Sequence, residues 1–97
     1  MNISPNLAFH ALTRGLQSET LRQVCNRIEG GKHTLFVLTD ILGIDEEADI
    51  HSAIRTMEKL IIREDAKRGH WSFSQNQLVM LKQHHASLCA AVGREVL

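Results

Sequence analysis

From Ile50 to Ile61 apolar residues recur at Ile50, Ala53, Ile54, Met57 and Leu60 or Ile61. This is the i, i+3, i+4, i+7 template of a helix with one buried face. His51, Ser52, Arg55, Thr56, Glu58 and Lys59 fill the opposite face. A cationic, hydroxyl-bearing face opposite an apolar one constrains both the packing of this segment and what it offers to solvent. Upstream, Leu38, Ile41 and Leu42 predict another helix, stopped by Gly43, with Ile44 returning to the core. Thr34 to Val37 is short, apolar and β-prone, and reads equally as a strand or as the opening of that helix. Downstream, Ile61-Ile62 predicts a strand start and Lys67-Arg68-Gly69 a turn. Trp71 and Phe73 alternate with Ser72 and Ser74, the period-two pattern of a strand with both aromatics inward.

The flanks are predicted to be helical. Ser4-Pro5 is a start signal, followed by Leu7, Ala8, Ala11 and Leu12. Ser18 is a second N-cap candidate, ahead of Leu21, Val24, Cys25 and Ile28, and Gly30-Gly31 ends that helix. From Asn76 the apolar stripe Leu78, Leu81, His85, Leu88, Val92 and Val96 returns to helical spacing.

Ninety-seven residues predict a single domain, 1–97, with one modest core. There is no basic, then apolar, leader pattern, so a cytoplasmic location without membrane insertion is expected. Cys25 and Cys89 read as free, buried small hydrophobes rather than a disulfide framework. Formal net charge is zero, which argues against a strong, sequence-independent nucleic-acid binder. The charge is uneven, however. Between Ile50 and Gln75, Arg55, Lys59, Arg63, Lys67 and Arg68 outnumber Glu58, Glu64 and Asp65 by two. Asp45, Glu46, Glu47 and Asp49 cluster where a helix would start, and read as structural.

Met57-Glu58-Lys59-Leu60, Ile61-Ile62-Arg63, Lys67-Arg68-Gly69 and Trp71-Ser72-Phe73, preceded by Leu42-Gly43-Ile44, resemble the recognition helix and wing of winged helix-turn-helix regulators. The general build is similar to MarR-like and small fimbrial or plasmid-borne members. The likeness covers segment 34–74. It implies a mainly α fold with a small β-hairpin, in the order α-α-(β)-α-α-β-β-α. The link from Ile44 to Ile50 departs from the pattern, being longer and acidic.

That resemblance implies sequence-specific binding of double-stranded DNA by a small dimeric transcriptional regulator. His51, Ser52 and Arg55 would meet base edges, and Thr56 and Lys59 phosphates. Lys67, Arg68 and His70 on the wing would meet the backbone or minor groove. Leu78, Leu81, His85, Leu88, Val92 and Val96, with terminal helices 5–15 and 76–96, would form a homodimer on a palindromic site. The alternative is a protein-interaction module that does not bind DNA.

No enzyme is expected: there is no phosphate-cradling glycine loop and no nucleophile elbow. No cofactor or metal is expected either. His85 and Cys89 stand at i, i+4 and share one helix edge, but no third ligand lies nearby in sequence and the spacing is no known zinc signature.

Overall fold

The computed structural model describes residues 19–96. These form α1 (Leu21–Asn26), α2 (Gly31–Phe36) continuing into a π-helical turn (Val37–Ile41), α3 (Ile50–Asp65) and α4 (Gln75–Val92). The proposed helix 5–15 and the Ser18 cap lie outside the described residues.

Local chemistry sets each boundary. Thr20 caps α1: its hydroxyl accepts the Gln23 amide while the Gln23 side chain accepts the Thr20 amide. Gly30 turns the chain at φ 72°. Gly31 then starts α2 so close to α1 that a Cβ there would lie 1.7 Å from the Cys25 carbonyl oxygen. The segment 34–37 is therefore helical. Thr39 donates its hydroxyl to the Leu35 carbonyl at 2.8 Å, within the π turn that ends this helix. Gly43, at φ 74°, reverses the chain and Ile44 returns to the core.

Asp49 caps α3, its carboxylate accepting the His51 and Ser52 amides. The rest of the acidic link is structural as well. Glu47 sits 2.7 Å from Arg22, and Asp45 accepts the Glu47 amide. The Leu21 amide donates to the Ala48 carbonyl and the Ile50 amide to the Glu19 carbonyl, tying the start of α1 to the start of α3.

The β-hairpin wing is absent: no β-strand occurs among the described residues. Residues 61–65 continue α3, because Ile61 and Glu64 prolong its buried stripe. The Glu64 carboxylate accepts the Ser74 amide at 2.7 Å and lies 3.5 Å from the Lys67 ammonium. These contacts close residues 66–73 into consecutive turns rather than paired strands. The period-two reading of Trp71 and Phe73 fails with the strand. Phe73 is partly buried beside Ile61, Leu78 and Leu81, whereas Trp71 is 90 % exposed.

α3 and α4 run antiparallel and share the main helix–helix interface, while α1 packs on α2 and touches α3 and α4. One core joins Leu21, Val24, Cys25, Val37, Leu38, Ile50, Ile54, Met57, Leu88 and Cys89. Both cysteines are free and buried, and burial pushes the Cys25 thiol up to about 11. Ile61, Leu78 and Leu81 form a second cluster toward the 66–73 turn. No helix among the described residues is long and apolar enough to cross a membrane.

Candidate nucleic-acid interface

The buried face of α3 is fixed by Ile50, Ala53, Ile54, Met57, Ile61 and Glu64. Helical geometry then turns Ser52, Arg55, Thr56, Lys59 and Arg63 to solvent together. Arg55, Lys59 and Arg63 follow at i, i+4, i+8, about 6 Å apart along the axis. None of the three takes part in an ion pair among the described residues. The acidic residues of α3 lie elsewhere on its circumference. Glu58 faces His85 and Arg94, Glu64 is buried, and Asp65 holds Arg68 at 2.7 Å. Exposed Ile62 lies beside the row, and Thr56 donates its hydroxyl to the Ser52 carbonyl at 3.1 Å.

The structure brings together four of the eight residues proposed for DNA: Ser52, Arg55, Thr56 and Lys59. His51 leaves the group. It is partly buried on the flank of α3, with its Nδ1 facing the Arg94 guanidinium at 3.4 Å. Lys67, Arg68 and His70 lie on the 66–73 turn and not on a wing. Lys67 is held by Glu64 and Arg68 by Asp65, with the Arg68 guanidinium 5.2 Å from the centre of the Phe73 ring. His70 accepts the Ser72 amide through Nδ1 at 3.1 Å, and its ring lies 5.4 Å from Trp71.

Arg63 is the residue that sequence reasoning missed. Its signal was the continuation of the 55–59 interval by four more residues, concealed by reading 61–63 as a strand. The six residues assigned to a dimer seam fare differently. Leu78, Leu81, His85 and Leu88 are buried within the chain itself, Val92 is partly buried, and Val96 is exposed beyond the end of α4. The α4 stripe therefore covers this chain's own core, and four of the six are unavailable to a second copy in this fold.

Comparison with known protein families, characterised proteins and solved structures finds no match for this chain. The likeness to winged-helix regulators rests on the quoted residues alone, and the helical course of 61–65 removes the wing from it.

Proposed function

We propose that this chain binds double-stranded DNA through the outward face of α3, as a small sequence-specific regulator in the cytoplasm. The observation that carries this reading is the row Arg55, Lys59, Arg63: three cations that, among the described residues, have no ion-pair partner and share their face of α3 with the hydroxyl residues Ser52 and Thr56 and no carboxylate of that helix. An α-helix, about 10–12 Å across with its side chains, fits a major groove about 12 Å wide. Arg55, nearest the start of the helix, is the base reader, because its guanidinium suits guanine O6 and N7 together. Lys59 and Arg63 take phosphates, with Ser52 and Thr56 beside them. Arg22 offsets the charge of Glu46 and Glu47 at the approach to the helix.

Fluorescence anisotropy with a duplex selected from a random pool tests this reading. With two or three phosphates neutralised, affinity should fall about 10- to 40-fold between 50 and 200 mM salt. An inverted repeat among the selected sequences would mark a homodimer on DNA, and a single half-site a monomer. A second reading, an acidic protein partner, is favoured by Ile62, which is 62 % exposed beside the same cations, and by Trp71, which is 90 % exposed on the 66–73 turn. Failure to bind any duplex at low salt would leave that second reading standing and remove the first.

A further inference from the structure

On the flank of α3 away from the cationic row, three possible metal ligands of different chemistry meet between two helices. Glu58 comes from α3, and His85 and Cys89 come from adjacent turns of α4. Glu58 Oε2 is 2.9 Å from His85 Nε2, and Cys89 Sγ is 3.5 Å from the same nitrogen. All three ligand atoms lie within 4.8 Å of one another. His85 is 1 % exposed and Cys89 is fully buried, while the Glu58 side chain keeps 19 % of its surface open. We propose that Glu58, His85 and Cys89 form a zinc-binding site that clamps α3 to α4.

The two separations from His85 Nε2 suit such an ion. With Zn–S near 2.3 Å and Zn–N near 2.05 Å at a tetrahedral angle, sulfur and nitrogen stand about 3.6 Å apart, close to the 3.5 Å found. The corresponding nitrogen–oxygen separation is about 3.3 Å, so the 2.9 Å Glu58–His85 pair opens by a few tenths of an ångström. One thiolate, one imidazole and one carboxylate make a donor set of intermediate softness, which zinc accepts. The thiol proton passes to solvent on coordination. Thiolate and carboxylate then balance the ion's two charges. Glu58 presents Oε2 to the site and Oε1 to the Arg94 guanidinium at 3.5 Å, an outer contact that orients the carboxylate. The fourth position faces the open side at Glu58 and takes water, leaving the ion three protein ligands. Burial, and after it the neighbouring Glu58 charge, push the Cys89 thiol up.

The test uses the full chain without a histidine tag. Zn(II) is titrated against a chromophoric chelator, and Co(II) is added separately to read the thiolate-to-cobalt charge-transfer band. The expected result is one equivalent of zinc per chain and a charge-transfer band with cobalt. Glu58→Gln should bind zinc at least about 10-fold more weakly, and Cys89→Ser should lose the band. A second histidine pair, His33 and His84, has ring centres 5.5 Å apart and supplies the control: His33→Gln with His84→Gln should leave both readouts unchanged. If Cys89→Ser does not fold, Glu58→Gln decides, because its side chain is partly exposed and close in shape. Zinc binding equal in the native chain and Glu58→Gln, or abolished by the His33 and His84 substitutions, overturns the site.

Discussion

Replacing Arg55, Lys59 and Arg63 together by alanine is expected to weaken duplex binding by about 100-fold or more, while the circular dichroism spectrum and melting temperature stay close to native. The size follows from the separate roles. One arginine reading a base contributes about 1–3 kcal/mol, and each lost phosphate contact takes away about one unit of salt slope. The fold survives because the three side chains point to solvent and hold no ion pair among the described residues. The single substitutions should separate the roles. Arg55→Ala relaxes the preference at one base position, whereas Lys59→Ala weakens all sequences alike. If the triple variant binds DNA as tightly as the native chain, the cationic row is only a solvated face.

The second large effect is on stability. Ile54 is fully buried among residues of α1, α3 and α4, and its burial aims Arg55 and Lys59 outward. Ile54→Ala should cost about 2–5 kcal/mol, the range for emptying a close-packed aliphatic site. Domains of this size are stable by only about 5–15 kcal/mol, so the variant should unfold at much lower denaturant with an unchanged slope. DNA binding should weaken only in proportion to the unfolded fraction. A loss below about 1 kcal/mol would mean that α3 is not seated through this side chain.

The central helix was legible from its residues. Ile50, Ala53, Ile54 and Met57 keep strict helical spacing, and all four are buried by α3. Gly43 was recognisable as a turn, and Cys25 and Cys89 as buried thiols, because these features depend on local backbone chemistry and ordinary apolar burial. The segment after Leu60 was not. Ile61 and Ile62 carry β-branched chains, and Trp71 and Phe73 alternate with serines, so local pattern favours strands. The outcome depends instead on a contact ten residues long in sequence. Glu64 accepts the Ser74 amide, while Ser74 in turn caps α4 by accepting the Gln77 amide. Tertiary and capping interactions of this kind override propensity and leave no periodic trace. The α4 stripe is apolar at the expected spacing, and Leu78, Leu81, His85 and Leu88 on it are buried within this chain. Spacing shows that a face is buried, not whether a second copy or this chain's own α1 and α3 cover it. Glu58 was hidden for a similar reason: it looked like one more polar residue on α3, and its partner His85 is 27 positions away.

The most direct measurement follows each backbone amide by nuclear magnetic resonance while a selected duplex is added at low salt. Shifts concentrated at Ser52, Arg55, Thr56, Lys59 and Arg63, with little change at Leu78, Leu81 and Leu88, are the predicted result. Shifts confined to the 66–73 turn or to α1, with the outer face of α3 unmoved at saturating DNA, would contradict the account.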